Sequence, residues 1–392
     1  MMLHHILAAP LVAIVVTVVF MQAAVLVAGS ARRRDYRRFE DQSGQKIVER
    51  FAFPEVAPGE AQERYRRLTT VRDRTHQAAN AAQTRYYNAV LRSSGCLVLA
   101  FLALAFSMLL SSGMPEEVRV PLERLVAWLD ATATLAVLAL FLDGRLRNAP
   151  WLSARSCAEL MRQYQILETV LPGPQSRAGE TAEAAEAEAA RIARLVDDGP
   201  SKTLATRVEQ IWHSRRAEIA ARAMDRCDLA PEGLLLYLTK RPRRQLVWFV
   251  DSGARLEHIA ERRKKVLLGL YIAAVALSLL NLVLLLMERP LSDYIHPVLL
   301  IVVGLAAAMT ALSVNQNSRS LIHRYRIQER SIAGWLDGFD RRWGFSTLSA
   351  TERDAATKAA MRDEILKFED LMIEELIDWL YITSHDSIEL AP

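Results

Sequence analysis

The stretch that decides the fold is residues 262–287, RRKKVLLGLYIAAVALSLLNLVLLLM, in which four basic side chains precede 22 residues of almost unbroken apolar sequence. Asn281 is the only residue of that run more polar than Ser or Tyr. Because a helix rises ~1.5 Å per residue, the run reaches roughly 33 Å, enough to cross a hydrocarbon core of about 30 Å. The stretch therefore predicts a transmembrane helix.

Further apolar runs predict two hairpins. Residues 297–314 form a second run after a polar turn of nine residues that contains Pro290. Two such runs joined by a short turn predict a transmembrane hairpin whose ends return to the same side. An earlier pair, residues 95–112 and 125–142, predicts a hairpin of the same kind, although its first run is short.

The N-terminus carries one more apolar run, residues 6–29, which a basic cluster beginning with Arg32 follows at once. A cleaved signal peptide has its positive charge in front of a shorter apolar region. The order here predicts an uncleaved anchor, and a signal peptide cut near Gly29 is the alternative. We therefore expect an all-α integral membrane protein with about five transmembrane helices, namely the anchor and two repeated hairpins, and with cytoplasmic helical extensions.

Basic residues determine the predicted topology. The outer turns, residues 113–124 and 288–296, contain only Arg119, Arg124 and Arg289 as basic residues. Nearly all other Arg and Lys near the span ends fall in three segments: residues 31–94, 143–265 and 315–392. Since cytoplasmic loops carry an excess of Lys and Arg, these segments are predicted to be cytoplasmic. The sequence thus predicts a multi-pass protein of a bacterial inner membrane, with its N-terminus outside and its C-terminus inside.

Composition shifts and proline-containing breaks divide the chain into six predicted segments. They are an N-terminal transmembrane anchor (1–30), a cytoplasmic basic connector (31–63), a first helix-hairpin-helix repeat (64–171), an Ala/Glu-rich helical linker (172–233), a second repeat (234–348) and a C-terminal cytoplasmic helix (349–392). Residues 180–196 of the linker are strongly helix-prone but lack a wide apolar face. They are predicted to form a solvated spacer.

The two hairpins lie at a constant offset of 170 residues. Arg85 and Arg255, like Glu159 and Glu329, coincide at this offset without a gap. Leucines in membrane helices match by chance, so the polar matches outside the spans and the equal turn lengths carry the comparison. They indicate an internal duplication.

Charged and aromatic residues on both sides of the second hairpin form a pattern: Gln245, Trp248, Phe249, Asp251 and Ala254 before it, and Arg326, Glu329 and Trp335 after it. The pattern resembles the SLATT family, the SMODS- and SLOG-associating two-transmembrane effector domains of bacterial conflict systems. Residues 64–171 resemble a diverged copy, with Arg155 and Glu159 in the exit helix. The resemblance implies an effector that a partner's signal switches to form a pore or damage the membrane. The anchor, the duplication and the linker depart from the family's single hairpin.

Motifs of enzyme chemistry are absent from the sequence. It contains no GxxxxGK[ST] or GxGxxG phosphate loop, no HExxH zinc motif and no GxSxG nucleophile elbow. Cys96, Cys157 and Cys227 lie far apart, so neither a disulfide framework nor a structural zinc site is predicted. His213 and His323 stand beside arginines at positions typical of solvated helix faces. We expect neither an enzyme nor a bound cofactor or metal.

Five residues inside the predicted spans are candidates for a pore or a helix interface. Asp130 lies in the third span, and Thr134 lies one turn further. Three interpretations of Asp130 stay open: its carboxyl group faces a water-filled path between subunits, turns outward to the membrane surface, or hydrogen-bonds a neighbouring helix. Asn281 is expected to join helices by hydrogen bonding. Gly304 and Ala308 give the last span a small-residue stripe, which permits close contact within or between subunits.

Two basic clusters lie at the predicted cytoplasmic ends of spans: Arg32, Arg33 and Arg34, and Arg262, Arg263, Lys264 and Lys265. Each basic residue there gains about 1 kcal/mol from anionic lipids. Nucleic-acid binding is the alternative, but no nucleic-acid fold and no interleaved aromatic residues accompany the clusters. We expect them to bind lipid headgroups, and we expect no nucleic acid as a partner.

The last helix carries one apolar stripe with a spacing of three or four residues: Met361, Ile365, Phe368, Met372, Leu376 and Trp379. The stripe packs on the protein's own helices or docks a separate partner. Two functions therefore stay open. One is a homo-oligomeric membrane effector that a cytoplasmic nucleotide-signalling or sensor protein switches. The other is a membrane scaffold or sensor that anchors a soluble cytoplasmic partner.

Overall fold

A computed structural model describes residues 12–23, 25, 26, 43–54, 59–110, 115–171, 181–197, 204–221, 229, 231–287, 292–315, 318–348 and 354–385. Nearly all of these residues are helical and none lies in a β-strand, which confirms the predicted all-α fold class. The helices are α1 (Val12–Ala23), α2 (Ser43–Arg50), α3 (Glu60–Leu110), α4 (Glu116–Val170), α5 (Thr181–Asp197), α6 (Leu204–Ala221), α7 (Pro231–Leu238), a π-helix (Thr239–Arg243), α8 (Arg244–Leu286), α9 (Ser292–Asn315), α10 (Ser318–Trp343), a 3-10 turn (Phe345–Thr347) and α11 (Ala355–His385).

The chain divides into two compact units, each assembled from separate segments. Unit 1 contains Met1–Arg38, Arg85–Leu146 and Ala254–Ile322, and unit 2 contains Phe39–Thr84, Arg147–Gly253 and His323–Pro392. Helices α3, α4, α8 and α10 each contribute residues to both units. In each half of the chain, helix therefore leads into a hairpin and out of it again, a layout compatible with the predicted repeat.

Three helices are long and apolar enough to cross a membrane: Glu60–Ser107, Glu116–Val170 and Pro231–Leu284. The other two predicted spans fall on shorter apolar helices, Val12–Ala23 and Ile295–Thr310. Each predicted apolar run thus contains helix, while five complete spans stay a prediction.

The turn of the first hairpin is shorter than predicted. Helix α4 begins at Glu116, so the expectation of a loop over residues 113–124 is wrong for residues 116–124. Pro115 directly precedes the helix, and Glu116 and Glu117 occupy its first turn. Acidic side chains at this end interact favourably with the helix dipole, which extends the helix beyond its apolar run.

Small residues bring the helices of unit 1 together. Ala103 of α3 and Val126 of α4 are buried in one cluster within the first hairpin. A Cβ atom added to Gly304 of α9 would lie 2.6 Å from the Cβ of Phe101, closer than real side chains approach. The missing side chain therefore permits α9 to contact α3, so the small-residue stripe makes a contact within one chain.

The core of unit 2 surrounds α11. Its stripe residues Met361, Ile365, Phe368, Met372 and Leu376 are all buried. Two further aromatic contacts anchor the helix: Trp335 lies 4.8 Å from Phe368 between ring centroids, and Trp151 lies 5.4 Å from the half-buried Trp379. The apolar stripe thus packs on the protein's own helices.

Helix α5 is not a solvated spacer. Ala185, Ile192 and Val196 are buried, and Glu188 forms an ion pair of 2.9 Å with Arg215 of α6. Small and aliphatic residues at helical spacing give α5 a narrow apolar strip, which suffices for packing although it is narrower than an ordinary amphipathic face. The prediction of an exposed linker is therefore wrong for this helix.

Candidate functional site

Unit 2 contains a buried pair of opposite charges. Glu369 of α11 is fully buried, and Arg241, in the π-helix, is 3% exposed. Arg241 Nε donates to Glu369 Oε1 at 3.1 Å, and Nη2 donates to Oε2 at 2.9 Å. Such a bidentate pair is among the strongest hydrogen-bonded contacts in proteins. It connects α11 to the turn that precedes α8.

The π-helix explains how Arg241 reaches this position. Pro242 lies inside it, and proline has no backbone N–H and clashes with the carbonyl four residues earlier. One wider turn accommodates the ring within an otherwise continuous helix, and π-turns are frequent at functional sites. Arg241 and Pro242 are buried, whereas Lys240 is exposed. Within this one turn, Lys240 therefore faces solvent while Arg241 and Pro242 face the protein interior.

Two neutral side chains complete the surroundings of Glu369. The Tyr237 hydroxyl donates to Oε1 at 3.0 Å, and Gln163 Nε2 donates to Oε2 at 3.3 Å. Burial, together with the adjacent Glu369 carboxylate, holds the pKa of Tyr237 well above its ordinary value, so the hydroxyl keeps its proton. Each carboxylate oxygen of Glu369 therefore accepts hydrogen bonds from more than one residue, as a buried charge requires.

A second carboxylate, Glu159 of α4, lies on the other side of Arg241. Arg155 Nη2 and Arg162 Nη1 each lie 2.9 Å from Glu159 Oε1, and Arg241 Nη1 lies 4.0 Å from Oε2. Burial by itself would raise the pKa of Glu159, but the Arg162, Arg155 and Arg241 guanidinium groups lower it to about 2. Arg241 is therefore shared between two carboxyl groups on different helices.

Helix α8 joins through Gln245. In the amide orientation that satisfies its neighbours, its oxygen accepts hydrogen bonds from Arg241 Nη1 at 2.9 Å and Arg162 Nη1 at 3.3 Å. We call the whole set the Arg241 network: Arg155, Glu159, Arg162, Gln163, Tyr237, Arg241, Gln245 and Glu369. Its members come from α4, α7, the π-helix, α8 and α11.

Positive charge exceeds negative charge in the network, which holds three arginines and two glutamates. Although Glu159 raises the pKa of Arg162, burial and the neighbouring arginines lower it to about 10. Burial first, and then Arg162 and Arg155, lower the pKa of the nearby His76. The imidazole of His76 is therefore neutral at neutral pH.

A further carboxyl on α11, that of Glu375, faces α10. Its Oε1 lies 3.9 Å from Arg324 Nη2, and the same nitrogen donates to the Glu375 carbonyl oxygen at 2.8 Å. Burial raises the pKa of Glu375 to about 7, in spite of the opposing effect of Arg324. This carboxyl therefore keeps its proton to a higher pH than an exposed glutamate does.

Ion pairs and hydrogen bonds of the Arg241 network fix the positions of α4, α8 and α11 relative to one another. Removal of one partner from a buried ion pair leaves an uncompensated charge and costs about 3–5 kcal/mol. Within the described residues, no group of three or more His, Cys, Asp or Glu is placed to hold a metal ion. The chemistry that the network offers is the stabilisation of one helix packing over another.

The five candidates in the predicted spans lie in unit 1. Asp130 is half-exposed, Thr134 is exposed, and no described residue forms a hydrogen bond or ion pair with either side chain beyond its own helix turn. Asn281 is 7% exposed, and its Oδ1 finds no hydrogen-bond partner among the described residues. Gly304 and Ala308 are buried. No hydrogen bond joins these side chains to one another.

The basic side chains before the second hairpin lie on α8. Arg262, Lys264 and Lys265 are exposed, and Arg263 is half-buried. The first cluster lies outside the described residues: Arg32, Arg33 and Arg34.

Sequence reasoning missed the centre of the network. Nothing in the sequence marks Arg241 as buried. The only local irregularity is the adjacent Pro242, which interrupts an otherwise helical segment. Glu369 and Glu375 each fall at helical spacing from the apolar stripe of α11, and a charged residue on a buried face was the signal that could have found them.

The chain matches no family model, no curated protein and no solved structure. The resemblance to the SLATT family therefore stays a prediction, and the network is interpreted from its own geometry.

Proposed function

We propose that this protein is a non-catalytic membrane effector in which a signal received by unit 2 changes how the hairpins of unit 1 pack. The observation that supports this best is the apolar surface of α8. Eleven large apolar side chains between Val266 and Met287 are exposed by 47 to 77%. Contiguous apolar surface of this extent marks a membrane or protein interaction site.

The first hairpin has a similar surface. Leu135, Leu138 and Leu142 on α4 are all more than half exposed, and Leu146 reaches 77%. Burial of one such side chain away from water is worth about 1.5–3 kcal/mol. Lipid is the solvent that suits this surface. The basic flanks support a topology in which the N-terminus lies outside and the bulk of the polar sequence lies in the cytoplasm.

Continuous helices connect the proposed receiver with the proposed membrane segments. Gln245 lies on α8, whose later residues form the exposed apolar surface, and Glu159 lies on α4, which also contains the span at 125–142. A ligand or partner that favours one arrangement of the Arg241 network shifts the equilibrium between two packings. A rotation of either helix in unit 2 would then be transmitted along its length.

The effector would act as a homo-oligomer that forms a pore, with Asp130 beside the water path. A carboxylate costs about 2.5–3.5 kcal/mol at the bilayer centre on insertion scales and less near the interface. Asp130 lies about five residues inside the outer end of its span, so a water path reaching it from the outer side would lower this cost. The resemblance to SLATT proteins supports a role in a bacterial conflict or anti-phage system, with a nucleotide-signalling or sensor protein as the switch. A gene for such a protein beside this one would favour the proposal, and a metabolic operon would oppose it.

The test is leakage of a dye from liposomes that contain the purified protein, with and without the product of the neighbouring gene. We expect the partner to induce leakage and Asp130→Ala to reduce it at least several-fold. The matched control is Glu117→Ala, which removes an exposed carboxylate at the start of the same helix. Leakage that is absent under all activating conditions, or equal in Asp130→Ala and the wild type, would contradict pore formation.

The alternative function, a membrane scaffold or sensor that anchors a soluble partner, was predicted to use the stripe from Met361 to Trp379. Burial of this stripe in unit 2 removes that docking surface. A partner would instead have to bind elsewhere on unit 2. Co-purification of a soluble protein without any change in permeability would favour this function.

A further inference from the structure

Unit 2 contains an open cleft on the outer side of the π-helix. Arg241 of the same π-helix is buried and does not line this cleft. The cleft has a volume of about 330 Å³, within the range of small-molecule sites. Both apolar and polar side chains line it: Phe53, Pro54, Gln62, Leu236, Thr239, Lys240 and Arg243.

Hydrogen-bond donors in this cleft have no partner in the described part of the chain. Lys240 is exposed, and no described carboxylate lies within ion-pair distance of it. Threonines in the α-helices return their hydroxyl to the carbonyl four residues earlier, as Thr69 and Thr169 do. Thr239, at the start of the wider π-turn, makes no such bond, and the Gln62 amide likewise has no described partner. These groups remain available to a ligand.

Arg243 supplies a second cation in a fixed position. Its Nη1 donates to the Phe51 carbonyl oxygen at 3.3 Å, and its guanidinium carbon lies 5.0 Å from the centroid of the Phe53 ring. No described carboxylate pairs with it, and burial lowers its pKa from the ordinary value, although the group remains a cation at neutral pH. The cleft thus presents two positive charges, which no carboxylate in the described part of the chain compensates, beside an aromatic ring.

We propose that this cleft binds a phosphate monoester of a small organic molecule. A monoester dianion matches the two charges of Lys240 and Arg243, and its oxygens accept hydrogen bonds from Thr239 and Gln62. Phe53 and Leu236, together with Pro54, contact the carbon part of the ligand. Neutral ligands would leave the charges of Lys240 and Arg243 uncompensated.

The cleft and the Arg241 network share the π-helix, so a ligand in the cleft would affect the network. Lys240 and Arg243 flank Arg241 in one five-residue turn. A ligand that fixes the outer side of the turn therefore also restrains the guanidinium that pairs with Glu369. The inference names a ligand class for the switching signal and rests on the proposed function for that role, but binding itself is measured without any readout of permeability.

Calorimetric titration of the purified full-length protein in detergent tests the proposal, with phenyl phosphate as the probe and phenol as the uncharged control. We expect saturable binding of phenyl phosphate and none of phenol. Lys240→Ala should weaken binding about tenfold, the loss typical of one charge-assisted hydrogen bond, and Lys240→Glu should abolish it. Lys367→Ala, which removes an exposed lysine outside the cleft, should leave the affinity unchanged.

Lipid headgroups carry phosphate diesters, so soluble glycerophosphoglycerol is titrated in parallel. Equal or tighter binding of this diester would overturn the assignment to a free monoester. Absence of binding by phenyl phosphate, or equal affinity in Lys240→Glu and the wild type, would overturn the site itself. Thr239→Val, which keeps both charges, should weaken binding less than Lys240→Ala does. Each variant is included only after its thermal midpoint matches that of the wild type, so a folding defect is not read as lost binding.

Discussion

Replacement of Arg241 by methionine removes the centre of the buried network while preserving most of its volume. Glu369, which is fully buried, then keeps only its neutral donors Tyr237 and Gln163, and Glu159 loses one of its three arginines. Loss of one partner from a buried ion pair costs about 3–5 kcal/mol. For a domain of 150–250 residues, each kcal/mol lowers the melting temperature by about 2–4 °C. We therefore expect the midpoint of unit 2 to fall by roughly 6–20 °C.

The assay is thermal unfolding of the full-length protein in detergent, followed by helical circular dichroism. A double variant, Arg241→Met with Glu369→Leu, replaces both charges by apolar side chains and should recover about 2 kcal/mol of the loss, because no unpaired carboxylate remains. Arg50→Ala is the control, since Arg50 and Asp337 form an ion pair at the surface, worth less than about 1 kcal/mol.

Additive losses of unfolding free energy in the two single variants would refute this reasoning. If the double variant loses the sum of the two single losses, Arg241 and Glu369 are not energetically coupled, and the network does not select one helix packing. A loss in Arg241→Met no larger than that in Arg50→Ala would lead to the same conclusion.

Glu375 in unit 2 and Gly304 in unit 1 each offer a further test. The pKa of Glu375 is raised to about 7, so the folded state binds its proton more tightly than the unfolded chain does, and the associated stability declines as the pH rises from about 4.5 through 7. Glu375→Gln should thus unfold like the wild type at pH 4, where the carboxyl is protonated in both the folded and the unfolded state, and be more stable by about 1–3 kcal/mol at pH 8. Melting curves at both pH values test this, and equal curves at pH 8 would contradict the assignment. In unit 1, Gly304→Leu should lower the aggregation midpoint in detergent, because a side chain there overlaps Phe101 and overpacking costs about 1–3 kcal/mol. Gly269→Leu, in a helix position with no neighbouring atom within 4 Å, should behave like the wild type, and an equal loss in both variants would show that the Gly304 contact is unimportant.

The local sequence was sufficient to predict where most of the helices lie. The apolar run of α8 is long, uninterrupted and preceded by basic residues, and length and composition alone indicate helix of membrane-spanning length there. The stripe of α11 likewise revealed its buried face, because a helix places residues three and four apart on one side. Where a local signal competed with the apolar run, as with Glu116 and Glu117 at the start of α4, the boundary was misplaced.

Tertiary packing alone decided the site. Arg241 and Glu369 are separated by 128 residues, and no spacing rule connects a proline-containing turn to a distant helix. Glu159 and Glu329 occupy the same position at the repeat offset, yet Glu159 is enclosed by three arginines while Glu329 is half-exposed. The sequence determined which residues are charged and which helices they occupy. Whether a charge is buried and paired depends on which helices pack together, because its solvation free energy is set by neighbours that are remote along the chain.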